Sequence, residues 1–338
     1  MAEPQESSNA GASDARSEAM PAVRRVAHFL GMIVVGAVIP AAVAAALVGA
    51  LGVSALFTGV LWGALGAKLG GTRRMAYVAP VVGIVAGLGA YTAYGWWWAV
   101  LLAAVGLLSG VGFRFGWFPV MLMAPFAATL VTPTSSASDA VIFGTVVAVG
   151  AGYGIIIVRR FGAPPVVDGD HYSWPVTAVI ALMFGGVMGA AAILGVALGW
   201  SEPYWVPEPV LILVMYLLLG RRERIREKAV GTACGAAAAA LVASVALPAW
   251  ALTALALLAF LGALMQRKTY WRMYGLYTFA LVLYSAAPDD VAFVAEQRGF
   301  QFLAGIGLLA LGLLAVHAIA DQLARRYPQP ELAPVAAT

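Results

Sequence analysis

The feature that most constrains this chain is a series of twelve apolar runs, most of them long enough to cross the roughly 30 Å hydrocarbon core of a bilayer. Hydrophobic residues make up 62% of the chain and charged residues 11%, too few polar groups to cover a soluble surface. The runs exceed the roughly ten residues of a barrel strand. The sequence therefore predicts an all-α integral membrane protein with about twelve transmembrane helices, and ten or eleven spans stay open. The runs lie at 27–50, 53–69, 75–95, 96–112, 117–132, 138–158, 175–199, 204–219, 228–247, 249–265, 273–287 and 299–320.

The placement of basic residues predicts the orientation of these helices. If the N-terminus lies inside and the twelve spans alternate, every Lys and Arg except Arg298 falls on the inner side. This asymmetry is the positive-inside pattern of membrane proteins. It predicts that both termini are cytoplasmic. The net charge of +4 then reflects orientation and contact with anionic lipid headgroups, and it does not indicate nucleic-acid binding.

The chain divides into two similar halves of six runs each. Phe113–Pro119 leads into an apolar run that ends at Pro133, and Gln266–Arg272 leads into one that ends at Pro288. Because six is even, both halves enter the membrane from the same side, which predicts two parallel six-helix repeats related by an axis along the membrane normal. The predicted segments are a disordered tail at 1–25, the first repeat at 26–160, a linker at 161–174, the second repeat at 175–322 and a disordered tail at 323–338.

Short runs occupy matching positions in the two halves. Run 53–69 corresponds to 204–219, and run 117–132 corresponds to 273–287. In repeated transporters, short or proline-interrupted spans at matching positions often mark the binding site. The alternative is that these runs are re-entrant or untilted helices without a special role.

Two charged residues have unusual positions for a membrane protein, one within an apolar run and one on the outer side, and are therefore candidates for function. Glu208, between two prolines at the start of a short run, would couple transport to protons or act as an ordinary interfacial acid. Arg298 is the cation left on the outer side. It would receive anions near the outer mouth, or it would pair with a nearby acid. Those acids are Asp289, Asp290 and Glu296.

Three further residues have a functional and a structural interpretation. Lys228 would hold an organic carboxylate through charge-assisted hydrogen bonds, or it would belong to the positive-inside signal. Thr232, one turn later, would donate its hydroxyl to the same anion or bond its own helix backbone. Trp62 would stack on an aromatic substrate or pack in the core. The sequence contains no metal-binding, nucleotide-binding or catalytic motif, so we expect no cofactor, no metal and no enzymatic activity.

A family resemblance begins at Tyr204-Trp205-Val206-Pro207. An apolar run and a basic loop follow, and then Lys228 is followed at +4 by Thr232 and at +7 by Gly235. This pattern resembles the fusaric acid resistance (FUSC) and aromatic acid exporter membrane proteins, with Lys in place of the more usual Arg.

A later family element is a basic residue that opens the last span. Arg298 and Gly305 fit it, whereas Phe302 stands where the family usually has Thr, and Pro209 replaces another Thr. The resemblance is best over about 200–320.

The resemblance implies export of aromatic carboxylic acids or similar organic anions across the bacterial cytoplasmic (inner) membrane. Trp205, in the Tyr-Trp opening of the pattern, joins the residues above as a site candidate. We expect a proton-coupled secondary transporter. A passive organic-anion channel and a non-transporting membrane scaffold or accessory subunit are the alternatives. The expected partners are a small organic anion and membrane lipids, and a homo-oligomer is left open.

Overall fold

A computed structural model describes residues 39–161, 172–200, 202–219, 221–243, 245, 247–266, 269–285 and 291–326. The predicted N-terminal tail, most of the predicted linker and the acids Asp289 and Asp290 lie outside the described residues. Every regular element that is described is helical, as expected for a chain that must satisfy its backbone hydrogen bonds within lipid.

Each predicted apolar run coincides with a helical segment over its described part. In the first half the helices are α1 (Ile39–Val48), α2 (Ala50–Gly70), α3 (Thr72–Thr92), α4 (Trp96–Val111), α5 (Phe118–Met121), α6 (Met123–Thr129) and α7 (Ala137–Phe161). In the second half they are α8 (Trp174–Ala197), α9 (Pro207–Leu218), α10 (Arg222–Ala243), α11 (Ala249–Met265), α12 (Tyr270–Ser285) and α13 (Val291–Arg326).

Six helices of the described chain are long and apolar enough to cross a membrane. The six stretches are Ala50–Gly70, Thr72–Thr92, Trp96–Phe115, Ala137–Arg160, Trp174–Ala197 and Val291–Ile319. A multi-pass helical membrane protein is therefore supported, whereas twelve spans stay a prediction. The other helices are shorter, or, like α10, begin with charged residues.

The lengths of the short runs differ from the sequence-based expectation. Run 53–69 lies within α2, a full helix of 21 residues, so the expectation that it is short was wrong. Run 117–132 contains Pro119 and Pro125 and folds as the two short helices α5 and α6. Proline lacks the N–H that would continue a helical ladder. In the second half, α9 has 12 residues and follows a 3₁₀ turn at Pro203–Trp205.

Glycines allow the closest helix contact of the first half. Gly59 and Gly63 of α2 face α7, and a Cβ added at Gly63 would overlap the backbone of Ala151. The facing glycines of α7, Gly150 and Gly154, lie equally close to the α2 backbone. Small residues at this spacing permit tight packing in lipid, where no hydrophobic driving force brings helices together.

The Gly63→Ala variant should therefore lower the melting temperature in detergent, because overpacking of this kind costs about 1–3 kcal/mol. Thermal unfolding of the purified protein measures the effect. Gly152→Ala in α7 is the matched control, since a Cβ there meets nothing within 4 Å. Equal melting temperatures for the two variants would contradict the tight α2–α7 contact.

The same helix pairs pack together in both halves. In the first half, α2 and α3 pack on α7, while α3 and α4 pack on α6. In the second half, α9 and α10 pack on α13, while α10 and α11 pack on α12. This is the arrangement that a repeated unit would produce, with α2 corresponding to α9 and α7 to α13.

The two halves share one apolar core. Helix α4 packs on α8, and the main buried cluster continues from Trp98 through Met188 to Val210. A smaller cluster in the second half surrounds Trp205 and Val282. The buried charges described next lie where α9, α10 and α13 meet.

Candidate functional site

Helix α9 begins with Pro207-Glu208-Pro209, which places a carboxylate in the first turn of a helix. Proline suits this position because the first N–H groups of a helix have no intrahelical partner. A carboxylate there also interacts favourably with the positive end of the helix dipole. Glu208 is only 6% exposed, so it lies inside the bundle.

Two cations from two other helices contact the two oxygens of this carboxylate. The Lys228 ammonium of α10 donates to Glu208 Oε1 at 3.2 Å. The Arg298 guanidinium of α13 donates through Nη2 to Glu208 Oε2 at 2.6 Å. Lys228 and Arg298 are 1% and 2% exposed. The three residues form a buried ionic cluster, called the charge cluster below.

The two cations of the charge cluster lie well inside their helices. Lys228 is six residues beyond the start of α10, about 9 Å along the axis, at 1.5 Å per residue. Arg298 is seven residues beyond the start of α13, which is about 10 Å along the axis. Both cations therefore reach the carboxylate at the start of α9 from well inside their own helices, and all three groups are buried.

The cluster carries an excess of positive charge. Among the described residues, Glu208, Lys228 and Arg298 are the only buried residues that carry a full charge, which gives a net charge of +1 when all three are ionised. A buried charge without a counter-ion costs several kcal/mol, about as much as breaking a buried ion pair. A bound anion would neutralise the cluster and remove that cost.

Aromatic rings surround the two cations. The Arg298 guanidinium lies 4.7 Å from the centre of the Trp205 ring. Lys228 Nζ lies 4.8 Å from the Tyr274 ring and 5.8 Å from the Phe302 ring. These distances are within the range of cation–π attraction. The site therefore combines cations with ring faces, the two features that recognise an aromatic anion.

Several polar atoms around the cluster have no partner within the described part of the chain. Arg298 Nε and Nη1 are buried without a hydrogen bond, and so are the Thr232 hydroxyl and the Gln301 side-chain oxygen. Buried polar groups in native proteins are nearly always hydrogen-bonded. The free donors of Arg298 and Thr232 suit the oxygens of a carboxylate.

The structure brings together five of the six site residues proposed from the sequence. Glu208, Lys228 and Arg298 form ion pairs, Trp205 covers Arg298, and Thr232 lies buried one turn beyond Lys228 on α10. Arg298, which lies just before the predicted run 299–320, is instead buried within α13 and pairs with Glu208. Lys228 is likewise buried rather than part of a basic surface.

Trp62 is the sixth candidate, and it lies elsewhere. Its ring stacks on Phe126 of α6 at 4.5 Å, within the apolar core of the first half. The contacts described for the charge cluster do not include Trp62. Its position favours the packing interpretation over stacking on a substrate.

Sequence reasoning missed Tyr274, Phe302 and Gln301. Phe302 follows Arg298 at i+4 on α13, a spacing that places both side chains on one helix face. The Gln301 amide donates to the Glu202 carbonyl at 3.1 Å and so ties α13 to the loop before α9. Helical spacing from Arg298 was the signal that could have identified Phe302.

Glu202, whose backbone carbonyl accepts the Gln301 hydrogen bond, lies in the loop between α8 and α9. Partial burial raises the pKa of its carboxyl above the ordinary value. This carboxyl therefore takes up a proton at a higher pH than an exposed glutamate would.

Comparison with known families agrees with this geometry. Residues 189–312 match the family model described as fusaric acid resistance protein-like. The family expected from the sequence is confirmed over this segment. The match includes Trp205, the whole charge cluster, Tyr274 and Phe302. No curated protein and no solved structure matches the chain significantly. The match to this FUSC-like family indicates membrane transport or efflux in general.

Proposed function

We propose that the chain is a secondary transporter that exports aromatic carboxylates or similar organic anions across the bacterial cytoplasmic membrane, with transport linked to protons through Glu208. The observation that carries the proposal is the buried charge cluster, in which two cations share one carboxylate. Ionisable groups at this depth are expensive and mark transport pathways in membrane proteins.

The charge of the cluster favours a monoanionic substrate. A bound carboxylate would bring the site from +1 to neutral and would accept hydrogen bonds from the free donors of Arg298. Charge-assisted hydrogen bonds contribute about 1.5–3 kcal/mol each. Trp205, Tyr274 and Phe302 would contact the aromatic part of the substrate.

Electrostatics also predicts whether the proton and the anion move in the same direction. Protonation of Glu208 raises the cluster charge to +2 and so strengthens the binding of an anion. By reciprocity, a bound anion favours protonation of Glu208. The proton and the anion would therefore move in the same direction, and net export would require the acid to be more concentrated inside.

Passive anion flow is the second candidate, and the excess positive charge also favours it. An inside-negative potential drives a monovalent anion outward with about 2.3 kcal/mol per 100 mV. A buried net positive charge would lower the barrier for that anion without any proton. The two candidates therefore differ in their response to a pH gradient and to a membrane potential.

We also propose two parallel six-helix repeats with both termini cytoplasmic. The matching helix pairs of the two halves support the repeat, and the distribution of Lys and Arg supports the orientation. Within the described residues, buried charged side chains occur in the second half. Each chain would then contain one charged site, with the first half serving as its apolar counterpart.

Flux into proteoliposomes containing the purified full chain tests the proposal. We expect saturable uptake of 4-hydroxybenzoate that exceeds uptake of propanoate or 4-hydroxybenzamide by about tenfold, since one charge-assisted hydrogen bond or ring contact is worth roughly that much. Protein-free liposomes give the background. No saturable flux of any organic anion, together with a stably copurifying protein, would instead favour the scaffold alternative.

A further inference from the structure

A chain of tyrosines leads from the charge cluster toward the basic residues around Arg224. The hydroxyls of Tyr216 on α9 and Tyr274 on α12 lie 2.7 Å apart in a hydrogen bond. The Tyr270 hydroxyl donates to the Tyr274 hydroxyl at 3.4 Å. The hydroxyls thus connect two helices on one side of the cluster.

The Tyr216–Tyr274 pair lies directly beside the buried cations. The Tyr274 ring is the one that Lys228 Nζ faces at 4.8 Å. Tyr216 is buried and lies eight residues after Glu208 on α9, about 12 Å further along the helix. The hydroxyl pair therefore stands between the charge cluster and the end of α9 that leads into the arginine-rich start of α10.

A second cation and ring occur on the far side of this pair. The Arg224 guanidinium lies 4.2 Å from the centre of the Tyr270 ring and forms an ion pair with Glu227 at 3.1 Å. The Arg224 side chain is 25% exposed, so molecules outside the bundle can reach it. Arg224 and Tyr270 thus form a further cation–ring pair, nearer the surface than the cation–ring pairs around Glu208.

We propose that Arg224 and Tyr270 form an access subsite for aromatic carboxylates, and that the Tyr216–Tyr274 hydrogen bond is a latch between this subsite and the charge cluster. The inference rests on the proposed function and adds where the substrate first binds. The substrate carboxylate would pair with Arg224 while its ring takes the guanidinium's place on Tyr270.

Passage from the subsite to the cluster would require the latch to open. Opening breaks one neutral hydrogen bond, the one between the Tyr216 and Tyr274 hydroxyls. The Tyr274 ring would contact the substrate while the substrate occupies the access subsite, and again when the substrate reaches the charge cluster. Tyrosines can therefore serve both as a barrier and as a path for an aromatic anion.

Exchange of labelled 4-hydroxybenzoate in proteoliposomes without any gradient tests the latch. Tyr216→Phe should raise the exchange rate about fivefold, the population change given by loss of one hydrogen bond of about 1 kcal/mol. Tyr274→Phe lacks the same bond and should also raise the rate, but it additionally removes the Tyr270–Tyr274 contact. The double variant should therefore exchange at the rate of Tyr274→Phe, with nothing added by Tyr216→Phe. The control is Tyr284→Phe, since Tyr284 lies on the same helix and is 76% exposed.

The access subsite is tested separately, through the KM for 4-hydroxybenzoate. Arg224→Gln should raise the KM for 4-hydroxybenzoate about tenfold and leave the maximal rate nearly unchanged, whereas Arg226→Gln, at an exposed position of the same helix, should alter neither. Melting temperatures close to that of the unmodified protein confirm that the variants fold.

Two sets of results would overturn the inference. One is an exchange rate in Tyr216→Phe equal to or below that of Tyr284→Phe. The other is a KM that Arg224→Gln and Arg226→Gln affect equally. Either outcome with intact 4-hydroxybenzoate transport removes the latch or the subsite and leaves the proposed function standing. Absence of transport in the unmodified protein would remove the proposed function itself.

Discussion

Arg298→Leu is expected to reduce saturable 4-hydroxybenzoate transport by about a hundredfold, because two charge-assisted hydrogen bonds of about 1.5 kcal/mol each would be lost. The substitution also brings the charge cluster from +1 to neutral, so the electrostatic reason for binding an anion disappears. The measurement is kcat/KM in proteoliposomes containing equal amounts of protein.

Arg298→Leu should keep the fold, since Glu208 and Lys228 remain as a balanced pair. Arg272→Leu is the control, because Arg272 is exposed on α12. Arg298→Lys should recover part of the activity, since it restores the charge without the planar fork of donors. Equal activity of the Leu variants at 298 and 272 would remove Arg298 from the transport site.

Sequence reasoning predicted the helices well because run length and hydropathy are local properties. Over its described part each apolar run coincides with a helical segment, and run 117–132, which contains Pro119 and Pro125, is divided into two short helices. It predicted the exact lengths poorly. Helix α2 adds Ala50, Leu51, Gly52 and Gly70 to run 53–69 and so reaches 21 residues, because a helix can continue through glycines that interrupt an apolar run.

The sequence singled out the three residues of the charge cluster but not their contact. Glu208 was singled out as a charge in an apolar run, Arg298 as the cation left on the outer side, and Lys228 as part of the family pattern. Their contact could not be predicted, since the acid lies 20 residues from Lys228 and 90 residues from Arg298 along the chain. The alternation of spans even suggested opposite sides for the two cations. In the structure, both cations lie several residues inside their helices and contact the Glu208 carboxylate.

Two of the three aromatic residues around the cations were missed for a different reason. Tyr274 and Phe302 are unremarkable in a chain in which 11% of residues are aromatic. Phe302 was noted only as a departure from the family's Thr, yet its ring lies 5.8 Å from Lys228 Nζ. A residue that departs from a family pattern can still line the site and alter which substrate fits.

Glu208→Gln is expected to change the driving force of transport rather than abolish binding. The variant cannot exchange a proton at this position, and the cluster carries +2, which favours anions. The unmodified protein, moving one proton with one monoanion, should respond to a pH gradient and not to a membrane potential. The variant should respond to a potassium–valinomycin potential and not to a pH gradient. Both are measured as initial 4-hydroxybenzoate flux.

The same substitution should weaken the fold, because Lys228 and Arg298 lose their counter-ion at a cost of about 3–5 kcal/mol. Saturating 4-hydroxybenzoate should therefore raise the melting temperature of Glu208→Gln more than that of the unmodified protein, since the bound anion replaces the missing charge. Glu208→Asp, which keeps the carboxylate, is the control and should retain the response to pH. If the unmodified protein already responds to potential alone, Glu208 carries no proton and the chain is a passive anion pathway. The excess positive charge of the cluster would then serve only to admit the anion.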